Sequence, residues 1–483
     1  MVIVCTQSIT TAKKHIIVNE IAKKYQIGTM YSRIIYTIYQ GVPMSSAQTL
    51  VTLDKIVALC KRKGFVYQSA DIYGGLNGVY DFGHLGHLLK ENLRTAWTKS
   101  MNTSDRGDML FMEGSLLGPH AVWEASGHVA NFSDPMVDCL KCQHRYRSDD
   151  IDLNKPCPHC GNKDWTDVRQ FNMMFKTNLG AASDQSSIAY LRPETAQAIY
   201  INFKNVMSTN RVKLPFGIAQ IGKAFRNEIT PKQFLFRMRE FEQMEMEWFC
   251  KEETALADFD YWCERRMSFF KKIGITPSKL RFHEQTPEER AHYSRACKDI
   301  EYEFPFGWKE LEGIAYRGDF DLTQHSKFSG KDLRVHDEAT KTAAMPHIVE
   351  SSVGVDRLFL TVLFDSYIED IVEGETRTVL KFHPTIAPIK AAFLPLVKKI
   401  SEPMEKIYLT MKRKGYMVDF DESGSIGKRY RRQDEMGTPV CFTYDFESET
   451  DHSVTVRNRD TTQQERINID QIESYIERML HNE

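Results

Sequence analysis

The segment FRNEITPKQFLFRMREFEQMEME, residues 225–247, places nine charged side chains among four phenylalanines and three methionines. A sheet face carrying guanidinium, carboxylates, an amide and a ring is built to hold something polar. FRNE and FEQMEME alternate with period two, and Thr230-Pro231-Lys232 between them carries turn chemistry. The pattern predicts two antiparallel strands joined by a long loop. Side chains alternate across a strand, so Arg226 and Glu228 should share a face of the first, and Phe241, Gln243, Glu245 and Glu247 a face of the second. A solvated amphipathic element is the plainer alternative for so charged a run.

A second constellation is Cys139-Leu-Lys-Cys142 and Cys157-Pro-His-Cys160, two C-x2-C pairs separated by 14 residues. Four thiolates at this spacing suit a closed tetrahedral zinc site, with a gap slightly below the usual range. A closed site leaves no position for water, so such a zinc would be structural. Incidental reduced cysteines are the alternative, and His144 and His159 beside the pairs are expected outside the ligand set.

The stretch IYGGLNGVYDFGHLG, 72–86, has five glycines in fifteen residues but matches neither phosphate-loop pattern. Close backbone approach, in tight packing or a turn beside a substrate, is the favoured reading. In ESSVGVDRLFL, 350–360, small residues precede Arg357 and an apolar run follows, which predicts a strand entering a buried helix. YLRPETAQ (190–197) and KELEGIAYRGDFDL (309–322) complete the polar clusters.

These residues need a scaffold. The chain has 483 residues, 42% hydrophobic and 27% charged, enough for two to four domains with a large core. A formal charge of −2 supplies no global attraction to nucleic acid or lipid, so any such binding needs a local patch. No apolar run approaches a membrane span. Four of the ten cysteines cluster and six are scattered, which argues for a reducing, cytoplasmic setting rather than a disulfide framework.

Residues 1–43 hold five Lys/Arg against one acid, with no adequate signal core and little of the Arg enrichment of a transit peptide, so they are expected to be a start-site artefact or a dispensable extension, with a targeting segment as the alternative. A helix is predicted after Ser45-Ser46, carrying Leu50, Leu53, Val57 and Cys60 and stopping at Gly64. From there to residue 387 single β-like runs alternate with helices, which predicts an α+β domain on an antiparallel sheet, with the cysteine pairs in an insertion near 136–165. Residues 388–483 predict a separate α/β module: strands at 391–397, 416–420, 440–446 and 453–459, and helices near 402–413, 427–436 and 463–480.

Taken together, FRNE, Phe241 and GVDR resemble motifs 2 and 3 of a class II aminoacyl-tRNA synthetase. YGGLNGVYDFG, SGHVANFSDPMVDC, YLRPETAQ, FGIAQIGKAFRNEITP, REFEQMEME, ELEGIA and SIGKRYRRQDEMGTP resemble the homodimeric type of glycyl-tRNA synthetase over nearly all of residues 50–483. That resemblance implies an antiparallel catalytic sheet, a C-terminal anticodon-binding domain, a homodimer, ATP and glycine as small substrates, Mg2+, and tRNA(Gly) as partner.

Carried onto this sequence, the resemblance places Arg226 at the α-phosphate, Glu228 at the adenine amino group, Phe241 on the adenine ring and Arg357 at the γ-phosphate. Glu310 is implied to ligate ATP directly or through magnesium, with Asn227, Phe236, Arg237, Arg239, Leu311, Gly354 and Asp356 completing the nucleotide site. Around glycine it implies Glu194, Gln243, Glu245, Glu350 and Ser352, with Phe241 shared and Arg147 approaching. Several carboxylates around one ammonium are sensible, because it has three donors.

The sequence departs from the family at His84, Ala198, Gly318 and Ser351, none of them a proposed charged ligand. Two alternatives stay open: a class II synthetase for another amino acid, and a non-catalytic nucleic-acid-binding relative of the same fold. In the C-terminal module, Lys428, Arg429, Arg431 and Arg432 form the densest basic cluster, at the start of a helix. A solvated face is one reading of it. Family context favours contact with tRNA.

Overall fold

The computed structural model describes residues 51–180, 187–287, 289–290, 294–337, 341–372 and 374–481. Residues 1–43 and the expected caps Ser45 and Ser46 lie outside them. The first described helix, α1 (Leu53–Lys63), is capped by Thr52, whose hydroxyl accepts from the Lys55 amide, and ends at Gly64 with φ 71°. Its buried residues are Ile56, Leu59 and the expected Cys60, the expected Leu53 packs partly buried beside them, and Val57 is exposed; Leu50 lies outside the described residues.

A seven-stranded sheet organises the next three hundred or so residues. Its strands are β1 (Asp108–Phe111), β2 (Phe216–Phe225), β3 (Glu240–Cys250), β4 (Leu280–Glu284), β5 (Ala296–Phe304), β6 (Gly307–Gly318) and β7 (His347–Gly354). They lie in the order β4-β5-β6-β7-β3-β2-β1, antiparallel except for the β2–β1 pair. Helices α2 (His84–Asn102), α4 (Ala255–Lys272) and α5 (Val355–Ser366) bury one face of this sheet, and Met244, Met246 and Trp248 of β3 enter that core. The alternate residues Phe241, Gln243, Glu245 and Glu247 point the other way. On that side α3 (Ala196–Asn210) covers only the end of the sheet, packing Ile199 and Phe203 against Phe216, Ile218 and Phe249. The remainder of the face is left for the polar residues.

The predicted hairpin is therefore present, with one difference. β2 ends at Phe225, so Arg226, Asn227 and Glu228 lie in the loop and do not share a strand face. The Arg226 amide still donates to its in-register neighbour Arg239 O (2.9 Å), and the Asn227 amide turns away from the pair to Met173 O (2.7 Å). The glycine-rich stretch meets the close-approach reading. A Cβ on Gly86 would fall 1.9 Å from Phe65 O, and Gly78, at φ 75°, accepts from the Arg239 amide at the foot of that loop.

After the hairpin of Tyr367–Val372 and Glu375–Leu380, a second sheet forms from β8 (Ala391–Pro395), β9 (Val418–Phe420), β10 (Val440–Tyr444), β11 (Ser453–Asn458) and β12 (Gln464–Asn468), ordered β9-β8-β10-β11-β12. Helices α6 (Ser401–Arg413) and α8 (Ile472–His481) share a core with one face of it, and α7 (Ile426–Met436) packs Ile426 and Tyr430 on the other face against Ala392, Leu394 and Cys441. The single helix predicted over 463–480 is instead strand β12 followed by α8. Residues 464–468 pair with β11, and a capping box of Asn468 and Gln471 starts the helical turn.

Candidate active site

The uncovered face of the central sheet holds a cavity of about 380 Å3 lined by residues from β3, β5, β6, β7, the 226–239 loop and the start of α5. Cross-strand pairing sets its floor. Gln243 lies opposite Gly354, Glu245 opposite Ser352 and Glu247 opposite Glu350, while Ser352 and Glu350 pair onward with Gly313 and Ala315. One register thus brings residues distant in sequence into rows, and a slip of one residue would turn them all away.

At one end, Phe241 lies 5.3 Å from the Arg226 guanidinium, which is also 5.4 Å from Phe132 and donates from Nε to Pro193 O (3.1 Å). Arg357 covers the Phe236 ring at 4.4 Å and donates to the main chain of Glu310 (2.9 Å), whose carboxylate is 3.3 Å away. Arg237 donates from Nε to the Glu228 carboxylate (2.7 Å), so these two neighbours in the expected nucleotide site are paired. Arg226, Glu228, Phe236, Arg237, Phe241, Glu310, Gly354, Asp356 and Arg357 all line the cavity.

Three residues of the expected nucleotide set stand apart. Arg239 is spent on Glu228 O (2.8 Å) and Asn77 O (2.7 Å), bracing the loop against the glycine-rich turn, and does not line the cavity. The Leu311 side chain is in the core, and Asn227 is engaged through its amide. Asp356 reaches the cavity wall, yet its carboxylate accepts from buried Lys90 (2.8 Å) and from the Glu242 amide (2.7 Å). Lys90 also pairs with Glu242 (2.9 Å), so this cluster ties α2 to the residues beside Phe241 and Arg357.

At the other end Gln243, Glu350 and Ser352 line the cavity, and further acids crowd behind them; the expected Glu194 and Glu245, like Glu247, do not themselves line it. Glu350 pairs with Arg317 (2.8 Å), which also grips Asp321 through two 2.8 Å hydrogen bonds. Glu245 accepts from the Thr195 amide (3.0 Å) and hydroxyl, Glu194 from Gln197 (3.0 Å) with His128 at 3.2 Å, and Glu247 from Tyr200 (2.8 Å). Gln243 donates to Ser352 (3.3 Å) and Glu245 (3.4 Å).

Burial pushes Glu350 up to about 8, against the pull of Arg317, and raises Glu245 and Glu247 as well, with neighbouring carboxylates adding to it. Burial also opposes ionisation of Glu194, but His128, Arg317 and Gln197 together hold it below the ordinary range. Raised carboxylates beside ionised ones mark a pocket short of positive charge. An incoming ammonium supplies it.

Sequence reasoning had not assigned Arg317, Asp321, His128, Tyr200 or Gln197 to this pocket. Arg317 and Asp321 lie within KELEGIAYRGDFDL and His128 within SGHVANFSDPMVDC, so the motifs contained them without indicating which side chains turn inward. Arg147 does not line the cavity; it lies 3.4 Å from Asp134 and 3.5 Å from Asp149.

Beside the cleft, the connections between the strands Ser133–Asp138, Arg145–Arg147 and Arg169–Asn172 hold the four cysteines. Their Sγ atoms lie within 4.8 Å of one another, with Cys139–Cys160 at 3.6 Å and Cys142–Cys157 at 3.8 Å. A tetrahedron with Zn–S bonds of about 2.3 Å requires S···S of about 3.8 Å. Each pair forms a knuckle closed by a backbone bond, Gln143 N to Cys139 O (2.8 Å) and Gly161 N to Cys157 O (2.9 Å). The residues fit a zinc ion. His144 and His159 stack on each other at 3.7 Å beside it, exposed.

The basic cluster of α7 requires a correction. Arg429, 2% exposed, donates to Pro395 O, Leu396 O (3.0 Å) and Asp421 O (3.2 Å), closing the carboxyl ends of β8 and β9. Arg432 is held by Asp421 (2.8 and 2.6 Å), and Arg431 reaches Val372 O (3.3 Å) with Glu375 at 3.8 Å. Lys428 is exposed. The helix turns alternate cations inward, so the cluster is not a continuous positive face, and Arg429 is unavailable to a phosphate.

Comparison with known proteins agrees with this architecture. A family described as tRNA synthetase class II core domain (G, H, P, S and T) matches residues 175–367, and one described as Anticodon binding domain matches 390–479. Prolyl-tRNA synthetase from Cryptosporidium parvum, solved with halofuginone and AMPPNP, superposes with a TM-score of 0.63 at 15% identity, covering 90% of this chain and 77% of that one, a likeness of fold. Sheet, cleft and C-terminal module are those of a class II aminoacyl-tRNA synthetase. Glycine--tRNA ligase from Caldanaerobacter subterraneus subsp. tengcongensis is 50% identical over 457 residues, 89% of this chain and 99% of the relative. That from Treponema denticola is 49% identical over 444 residues, 89% and 98% respectively. The chain belongs to the glycine--tRNA ligase family.

Proposed function

We propose that the cavity is where ATP and glycine meet, with the glycine ammonium among Glu194, Glu245 and Glu350 and the nucleotide between Phe241, Arg226 and Arg357. The chain carries its family's reaction: glycine is activated with ATP and the glycyl group is passed to tRNA(Gly). A carboxylate oxygen of glycine bonds to the α-phosphorus as the bond to pyrophosphate breaks. A terminal ribose hydroxyl of tRNA then attacks the glycyl carbonyl, loses its proton and releases AMP. Neither step needs a covalent catalyst; orientation and charge stabilisation suffice.

Arg226 faces the α-phosphate, where charge develops, and Phe241 stacks on adenine. Glu228 meets the adenine amino group, Arg237 flanks the phosphates and Arg357 holds the γ-phosphate end. Gly354, Leu311 and Asn227 contribute through the main chain. Magnesium, held by Glu310 and phosphate oxygens, would supply neutralising charge. Ser352 and Gln243 fix the glycine, and the crowded carboxylates leave little room for a larger amino acid.

The carrying observation is the negative surplus around Arg317, which a small ammonium satisfies and a neutral ligand does not. Glycine-dependent exchange of labelled pyrophosphate into ATP tests it, with alanine and serine as controls. Equal exchange with alanine would overturn the glycine assignment.

Four accompanying readings are proposed. The cysteine knuckles hold a structural zinc, supported by their sulfur spacing. The chain pairs as a homodimer, supported by exposed Phe111, Leu116 and Leu117 at and beyond edge strand β1. It works in the cytoplasm, supported by its free thiols, and no helix among the described residues is long and apolar enough to cross a membrane. The division at residues 387 and 388, catalytic domain before and anticodon-binding domain after, is proposed on the separate core of the C-terminal module.

A further inference from the structure

The cavity extends past the residues that the ATP and glycine reading employs. Along the row that contains Glu245 and Ser352, the next positions are Gly313 on β6 and Asp299 on β5. Asp299 lines the cavity although only 7% exposed. Between it and Ser352 the floor is bare among the described residues, of which a Cβ built on Gly313 would meet only Asp299 Oδ1, at 3.7 Å. With strands about 4.8 Å apart, Asp299 stands about 10 Å from Ser352.

The partners of Asp299 are telling. Gln285 donates from Nε2 to both carboxylate oxygens, at 3.1 and 2.8 Å. That amide fixes the plane of the carboxylate and uses one acceptor site on each oxygen, leaving others free. Among the described residues no Lys or Arg forms an ion pair with Asp299. Burial pushes it up to about 6, Gln285 works against this, and Glu310 adds to the rise. A buried carboxylate braced by one amide over an open floor suits a ligand that donates two hydroxyl groups to it.

We propose that Asp299, oriented by Gln285, seats the cis-diol of a ribose at the site of glycyl transfer. This rests on the reading of the cavity as the adenylate site. Two vicinal hydroxyls can each donate to one carboxylate oxygen, as an acidic residue does for the ribose of a dinucleotide. The reaction involves two such diols: that of the nucleotide, joined to the glycyl group through its 5′ phosphate, and that of the terminal adenosine of tRNA, which supplies the attacking hydroxyl. The bare floor at Gly313 gives the sugar its approach.

The test pairs Asp299→Asn with removal of single hydroxyls. Pyrophosphate exchange is measured with ATP, 2′-deoxy-ATP and 3′-deoxy-ATP, and single-turnover transfer from preformed glycyl-adenylate with tRNA ending in adenosine or 2′-deoxyadenosine. The parent protein should discriminate against the deoxy form by about tenfold in one assay, the scale of a hydrogen bond to a charged group. D299N should close that gap by slowing only the hydroxylated substrate. A gap in exchange assigns the nucleotide ribose, and one confined to transfer assigns the tRNA. Equal losses by D299N on all substrates, or a changed magnesium dependence without a changed hydroxyl dependence, would overturn the proposal.

If D299N does not fold, Gln285→Ala, which keeps the charge but frees its plane, should narrow the same gap; an unchanged gap would again overturn it. Absence of glycine-dependent exchange in the parent protein would instead defeat the underlying reading of the cavity.

Discussion

The stretches 225–247 and 426–436 are both dense in arginine, yet their charges are employed differently. Arg226 spends one hydrogen bond on Pro193 O and otherwise faces aromatic rings at the cavity, while Glu245 is left with a raised affinity for protons. In the C-terminal helix Arg429 is consumed by three main-chain carbonyls and Arg432 by Asp421. The first region pairs Arg237 and Arg239 within its own loop but leaves the Arg226 guanidinium facing the cavity. The second uses them to close its own loops. Charge density therefore did not separate a site from a brace; the unmet demand for a counter-charge did.

The strongest way to break this contrast is to remove one arginine from each region. Arg226→Ala should slow glycine-dependent pyrophosphate exchange by 100-fold or more, on the order of the loss of one preorganised donor, with little change in thermal unfolding. Parent-like exchange would mean that Arg226 does not face the reacting phosphate. Arg429→Ala should do the reverse. Stranding buried carbonyls costs about 1–3 kcal/mol apiece, so the C-terminal module should unfold several degrees earlier while exchange persists. A variant with unchanged melting but weakened tRNA binding would return Arg429 to the RNA surface.

A smaller effect follows from the raised carboxylates. Glu350 sits near 8 because burial disfavours its charge, and an ammonium favours the ionised form. Below pH 8 glycine binding must expel that proton, so affinity should fall as pH falls, by at most tenfold per unit for one proton. Calorimetry in buffers of different ionisation enthalpy would show the proton released. Glycine affinity flat between pH 6 and 8 would contradict this.

Metal removal sharpens the comparison from a third side. The cysteine-bearing segment touches the active-site loop through Lys232–Asp150 (2.8 Å) and Arg237–Asp134 (3.9 Å). About one zinc per chain is expected from four thiolates, and chelation should raise hydrogen exchange in 133–172 first, with only a few-fold loss of exchange activity through that loop. Lys428→Ala, exposed and free of the brace, should change stability by less than about 0.5 kcal/mol. Melting shifted as far as in Arg429→Ala would show that the whole cluster is structural.

The amino-acid string was enough for features built from local chemistry. Period-two alternation marked β3, small residues before an apolar run marked the β7–α5 junction, and doubled C-x2-C spacing marked the knuckles, because each signal lies within one element or turn. The chemistry of glycine and ATP was legible through the same motifs, since they bundle the side chains that phosphates, rings and an ammonium require. Where a local rule met a long-range partner the string misled. Residues 464–468 joined a sheet instead of a helix, and FRNE left its strand for a loop, because the contacts that decided both came from elsewhere in the chain.

Only the folded structure settled which charges remain available. Glu350 meets Arg317, Glu194 meets His128, and Asp299 lies two strands from Ser352 because sheet register places them there. Arg429 points inward because the turn of α7 delivers it to the ends of β8 and β9. A side chain's charge is written in the sequence. Whether that charge is neutralised, buried or offered to a ligand depends on distances across strands and helices, which exist only once the chain has packed.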